Sequence, residues 1–287
     1  MDNRPVGVFD SGLGGLTAVK RLIEILPCED IIYFGDTGRV PYGTHSGDTI
    51  KKYAKSAMKF LIGENIKRVL IACGTVSSVA LPYLKSVFEI PMDGVVEAAV
   101  EKAVKVTRNK KIGIIGTNAT IRSGVYEKML KQANGNIRTV PSGAAQAMST
   151  GEIRTISAAC PLFVPLVENC RTSKNDIVVQ TIVEEYLKPV KEYGADTLIL
   201  GCTHYPLLQD AIASFMGGGV YLVNPGAEGA YKIKEELAKS GALCEPAKKR
   251  RLSFFVTDDA DDFRANAERY LEMPLEGSVR EIDIEKY

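Results

Sequence analysis

Short apolar runs alternate with stretches whose apolar residues recur at helical spacing, and this alternation limits the fold more than any other feature. VGVFD (6–10) is followed by SGLGGLTAVKRLIEIL, a glycine-rich turn leading into a helical pattern. DIIYFGD (30–36) reads as a second strand, and DTIKKYAKSAMKFLIG (48–63) as a helix that stops at Gly63. RVLIAC (68–73) is a third strand, with a helix predicted over VSSVALPYLKSVF (76–88) and another over VVEAAVEKAVKVT (95–107). KIGIIG (111–116) opens a second series, continued by IVEEYLKPVKEY (182–193), TLILGC (197–202) and VYLVNP (220–225). The tail adds one strand, RLSFFVTD (251–258), and one helix, DDFRANAERYLE (261–272). Buried strands separated by helices build a parallel sheet with helices over its faces. The expected class is α/β.

The pattern also repeats. VGVFDSGLGGLTAVKRL (6–22) echoes IGIIGTNATIRSGVYEKML (112–130), and VLIACGT (69–75) echoes LILGCTH (198–204). Each half has an opening strand that runs into a hydroxyl residue, Ser11 or Thr117, and a later strand that ends in a cysteine. Two pseudo-symmetric α/β domains are expected, each with a mostly parallel sheet flanked by helices. The predicted bounds are 1–97 plus 225–287 for the first domain and 98–224 for the second. Sites in parallel sheets form at the carboxyl ends of strands, so the active site is expected in the cleft between the domains.

Bulk properties remove several classes of function. The 287 residues are ample for two domains, and 45% apolar with 25% charged residues supplies an ordinary core. A net charge of +1 gives no field that would gather nucleic acid, and KKRR (248–251) is short enough to be a solvated loop. No apolar run approaches the roughly 18 residues a membrane span needs. The opening MDNRPVGVFD lacks a basic-then-apolar leader pattern, so a cytoplasmic location is expected. The six cysteines form no CxxC pair and only two histidines accompany them, which argues against a disulfide framework and against a zinc or other metal site. Cys28, Cys160, Cys170 and Cys244 are read as small buried hydrophobes.

Cys73 and Cys202 differ because of where they fall. Each sits where a strand is expected to meet a helix start, a place rich in free N–H groups and in positive dipole. That setting favours a thiolate, which is a base as well as a nucleophile. Asp10, at the end of the first strand, could relay a proton for Cys73. His204, two residues past Cys202, could do the same there or hold a carboxylate as imidazolium, while His45 is read as facing water. DSGLGG (10–15) has neither the GxGxxG spacing nor a Walker lysine. It does place N–H groups and Ser11 where a small anion would sit. Thr75, Thr117, Asn118, Thr120 and Thr203 are hydroxyl or amide residues at similar turns. Singly each is an ordinary helix cap; together around two thiols they suit a small zwitterion. Tyr42, in the turn Pro41-Tyr42-Gly43, could close over a site or be a loop aromatic. One thiolate removing a proton from carbon and one thiol returning a proton to the opposite face would invert a stereocentre without a cofactor.

FDSGLGGLTAVKRL (9–22), YFGDTGRVPYG (33–43), IACGTVS (71–77), IGTNATIRSGVY (115–126), ACPLFVPLVE (159–168) and LGCTHYPLL (200–208) carry a further observation. In these stretches the chain resembles the cofactor-independent aspartate/glutamate racemase superfamily, the glutamate racemases in particular. The resemblance implies Cys73 and Cys202 as catalytic bases assisted by Asp10 and His204. It implies a glutamate pocket of Ser11, Pro41, Tyr42, Gly43, Gly74, Thr75, Thr117, Thr120 and Thr203, with Glu168 a further polar residue nearby. It also implies D-glutamate for peptidoglycan as the product, no cofactor, and a homodimer. Three departures stand out. Gly74 replaces the asparagine usual after the first cysteine, the segment 136–155 is longer than expected, and Asn224 stands where aspartate is common. The first leaves open a superfamily racemase acting on aspartate or another amino acid; a non-catalytic amino-acid-binding relative is the remaining alternative.

Overall fold

The computed structural model describes residues 1–136, 152–271, 273–275 and 277–287. The chain forms two compact units, one of Met1–Val95 with Gly226–Tyr287 and one of Val96–Pro225. In the first unit, β1 (Val6–Asp10), α1 (Leu16–Ile25), β2 (Ile31–Gly35), α2 (Gly47–Gly63) and β3 (Arg68–Ile71) follow in order. Next come α3 (Gly74–Val79), α4 (Leu81–Val87) and β4 (Met92–Gly94). The single helix expected over 76–88 is thus two. Pro82 lies in the first turn of α4, where its missing N–H costs nothing, whereas inside one continuous helix it would break a hydrogen bond.

The helix α5 (Val95–Val106) leads into the second unit, which contains β5 (Lys111–Gly116), α6 (Asn118–Ser123), α7 (Val125–Asn136) and β6 (Arg154–Ala159). It continues through α8 (Phe163–Glu168), α9 (Ile177–Tyr193), β7 (Thr197–Leu200), α10 (Gln209–Met216) and β8 (Tyr221–Val223). The chain then returns through α11 (Pro225–Lys239), β9 (Leu252–Val256), α12 (Ala260–Leu271) and β10 (Ser278–Glu281). Among the described residues no helix is long and apolar enough to cross a membrane.

The first unit's sheet has six strands in the order β10-β9-β2-β1-β3-β4, and the second unit's has four, β6-β5-β7-β8. Every strand pair recorded in both sheets is parallel. The shared pattern is clear: β2-β1-β3-β4 in one sheet matches β6-β5-β7-β8 in the other, strand for strand. The sequence echo is therefore a topological repeat. In each sheet the opening strand lies between its two successors, so the chain's direction of winding reverses beside it. That switch point leaves a crevice at the carboxyl ends of the strands.

The cores explain why the strands read as apolar runs. β1 and β2 are buried along their whole length, as strands covered on both faces must be. Phe9, Phe34, Phe60 and Phe255 pack ring to ring in one layer of the first unit, and Tyr33, Phe254 and Phe263 in another. In the second unit, Val96, Ala99 and Val100 of α5, Ile112 and Ile114 of β5, Tyr126 and Leu130 of α7, and Ile199 of β7 form the core cluster. Each fully buried Val, Leu, Ile or Phe side chain among them stabilises its unit by about 1.5–3 kcal/mol.

Candidate active site

In the first unit, β1 ends in Asp10, which is fully buried. Its Oδ2 accepts a hydrogen bond of 3.0 Å from the Gly12 amide. This turn is tight. A Cβ on Gly15 would lie 2.5 Å from the Asp10 Cβ and 2.9 Å from its carboxyl carbon, so glycine is required for α1 to start against the carboxylate. Phe9 pairs with Ile71 across β1 and β3, which carries Asp10 alongside Ala72 and Cys73. The Cys73 amide donates to Phe9 O at 3.4 Å, and its Sγ lies 3.4 Å from Ser11 Oγ. Cys73 is the N-cap of α3, and Gly74 and Thr75, the first residues of that helix, are buried. Below them the Tyr33 hydroxyl donates to Gly12 O at 2.7 Å. Burial, then the charges of Asp10 and Cys73, push the Tyr33 phenol well above its ordinary pKa, so it stays neutral.

At the turn Pro41–Gly43 the side chain of Tyr42 is buried. Its ring is buried against Tyr53, and its hydroxyl donates to the carboxylate of Asp36. Asp36 also accepts from Arg39 Nε at 2.8 Å and from Thr257 Oγ1 at 2.9 Å. What this turn presents is Pro41, exposed, and Gly43, half-buried. His45 is half-buried with its ring edge-on to Tyr53, rather than simply facing water.

In the second unit, the Gly201 amide donates to Ile115 O at 2.7 Å, which draws the end of β7 against β5. Cys202 follows, 8% exposed. Its Sγ is 3.8 Å from His204 Nδ1, and His204 Nε2 is 3.3 Å from Glu168 Oε1 at the end of α8. Thiol, imidazole and carboxylate thus form a chain. Burial opposes a charged ring, but hydrogen bonds and charge from Cys202 and Glu168 outweigh it and raise the His204 pKa to about 10. The ring is an imidazolium at neutral pH.

Cys202 does not stand at an α-helix start as expected. A turn and a short 3-10 stretch at Tyr205–Leu208 come before α10. The helix-dipole argument therefore applies to Cys73 alone; beside Cys202 the positive charge comes from His204. Thr203 is buried in the same turn. Thr117 is the N-cap of α6, accepting from the Thr120 amide at 3.3 Å, and its hydroxyl lies 3.0 Å from Thr120 Oγ1. Both threonines follow β5, the neighbour of β7.

A family profile described as Asp/Glu/Hydantoin racemase matches residues 27–232. The chain belongs to that family. The racemase is 42% identical to the glutamate racemase of Thermoanaerobacter pseudethanolicus, over 100% of both chains. It is 40% identical to that of Geobacter metallireducens, over 98% of this chain and 97% of the relative. The crystal structure of glutamate racemase from Francisella tularensis in complex with D-glutamate matches it with a TM-score of 0.87 at 35% identity, covering 100% of each chain. These full-length likenesses make its activity that of a glutamate racemase, an isomerase.

Sequence reasoning passed over two features beside these candidate residues. Asp36 directly follows β2, whose last residue pairs with Asp10 at the end of β1, and that parallel was the available signal. Tyr126 packs its ring edge against Gly201, a contact with no local signature. Of the other cysteines, Cys160 and Cys244 are buried and Cys28 is half-buried, but Cys170 is exposed at a positive φ; it is no core residue. Burial, then the charge of Cys202, pushes the Cys160 thiol up, so it stays protonated. Asn224 lies between β8 and α11. Of the segment 136–155, expected to be long, residues 137–151 lie outside those described. Among the described residues no group of three or more His, Cys, Asp or Glu is arranged to hold a metal ion.

Proposed function

We propose that the racemase interconverts L- and D-glutamate by two-base proton transfer at Cα, with Cys73 and Cys202 as the bases and no cofactor. One thiolate takes the Cα proton of one enantiomer and becomes a thiol. The opposite thiol gives its proton to the other face of the planar carbanion and becomes a thiolate. Proton and charge balance, and no electron is transferred. This exchange of protons requires both sulfurs to reach the same Cα. Asp10 relays for Cys73, and His204, oriented by Glu168, relays for Cys202. Ser11, Gly43, Gly74 and Thr75 on one side, and Thr117, Thr120 and Thr203 on the other, supply donors for the substrate's carboxylates and acceptors for its ammonium group. Pro41 and Tyr42 hold the turn that carries Gly43.

The observation that carries this reading is the matched placement of the thiols. Each follows the strand beside its sheet's opening strand, β3 by β1 and β7 by β5, at the switch point where α/β sheets bind ligands. That the Francisella tularensis relative was crystallised with D-glutamate supports glutamate as the ligand. D-Glutamate made here supplies peptidoglycan synthesis. A cytoplasmic homodimer is the form we propose for the working enzyme, and light scattering on the purified chain tests its size.

Exchange in D2O tests the mechanism. The intact chain is expected to wash out Cα–H from both glutamate enantiomers. Cys73→Ser and Cys202→Ser are each expected to lose racemisation yet keep exchange of one enantiomer, a different one in each variant. Exchange of aspartate but not glutamate would assign the altered-substrate reading, which Gly74 favours by leaving the pocket without an asparagine amide. No exchange with any amino acid would leave a binding protein.

A further inference from the structure

We propose that Tyr126 is a positioning residue for Cys202, its phenol poised to donate a hydrogen bond to the thiolate. The inference rests on the two-thiol reading above. Tyr126 lies in α7 and is 1% exposed. Its hydroxyl is buried and has no hydrogen-bond partner among the described residues. A buried hydroxyl left unpaired is a standing cost that phenylalanine, with the same ring, would avoid. Its position is the reason to look for a function. A Cβ on Gly201 would stand 3.2 Å from Tyr126 Cε2 and 3.5 Å from its hydroxyl oxygen. The phenol therefore lies against the backbone immediately before Cys202.

Other groups around this turn are already committed. Among the described residues, Tyr126 from α7, Cys160 after β6, and His204 and Tyr205 from the turn itself interact with Cys202, and Glu168 from α8 meets His204. Tyr205 donates to Cys160 O at 2.9 Å. The Cys160 thiol faces Ala158 O at 3.7 Å. His204 lies between Cys202 and Glu168. Among the described hydroxyls around this turn, Tyr126 alone keeps an uncommitted donor. Burial, then the charge of Cys202, raises its pKa, which keeps the proton it would donate. A neutral donor beside a sulfur that becomes charged during turnover stabilises the charged form more than the neutral one.

The test is Tyr126→Phe placed in each single-thiol background. In Cys73→Ser, where Cys202 is the remaining base, the added change is expected to slow Cα–H exchange about tenfold and to move its pH profile upward. In Cys202→Ser, where Cys73 is the base, exchange is expected to be unaltered. Thermal stability is expected to hold or rise, because an unpaired hydroxyl leaves the core. Equal slowing in both backgrounds, or slowing that follows a fall in melting temperature, would mark a packing role and overturn the proposal. Unchanged rates and pH profile in both would overturn it while the two-thiol reading stands. Should neither single-thiol variant exchange either enantiomer, that reading falls and this inference with it.

Discussion

The two thiols are matched in the chain but not in the way their charge is supported. Cys73 caps α3 beside Ser11 and close to the buried Asp10. Cys202 has no α-helix behind it and relies on the imidazolium of His204, which Glu168 holds from the other side. The raised pKa of His204 has a definite sign for stability. A group that binds its proton more tightly when folded stabilises the fold fully below its unfolded pKa, about 6.5. That contribution is lost as pH rises through the folded value of about 10. The melting-temperature gap between the unsubstituted chain and His204→Gln is therefore expected to be widest near pH 6 and to close toward pH 10. Thermal denaturation at several pH values checks it.

At the scale of elements, glycines decide how closely strands and turns approach. A Cβ on Gly201 would fall 2.6 Å from Ile115 O, a backbone atom that cannot move aside without disturbing β5. Gly201→Ala is expected to destabilise the second unit by about 1–3 kcal/mol and to lower turnover by displacing Cys202; chemical denaturation and a racemisation assay measure both. The strands that bear the site were legible because they are buried on both faces and read as unbroken apolar runs. β4, β6 and β10 were not. β4 is short, β6 is half-exposed through most of its length, and β10 is polar at its end. All three are edge strands, whose identity comes from pairing with a neighbour more than from their own propensity. The same holds for α3 and α4: the helical period runs through Pro82, and the break follows from the backbone chemistry of proline.

At the scale of the molecule, the repeat of strand order makes each unit a complete α/β half with its own switch point. The first unit is enlarged by the returning chain, which adds β9 and β10 beside β2. That return also reaches the site. Thr257, at the end of β9, donates to Asp36 at a separation of 221 residues, and the same carboxylate holds Tyr42 and Arg39. Asp36→Ala would leave Arg39, only 14% exposed, without its buried partner. It is expected to cost roughly 3–5 kcal/mol and to raise KM for glutamate as the 41–43 turn loosens. Denaturant unfolding and steady-state kinetics test the two effects separately.

The sequence by itself determined the α/β class, the doubling, and the cysteine at the end of a strand in each half. Those follow from short-range rules: the period of apolar residues, the sterics of glycine and proline, and the chemistry of a thiol at a turn. The tertiary structure alone decided that Glu168 meets His204, that Asp36 takes the hydroxyl of Tyr42, and that the phenol of Tyr126 lies against Gly201. The first and third join residues from separate elements, and the second closes a short loop after β2. Each is set by packing, and no local pattern in the chain encodes it.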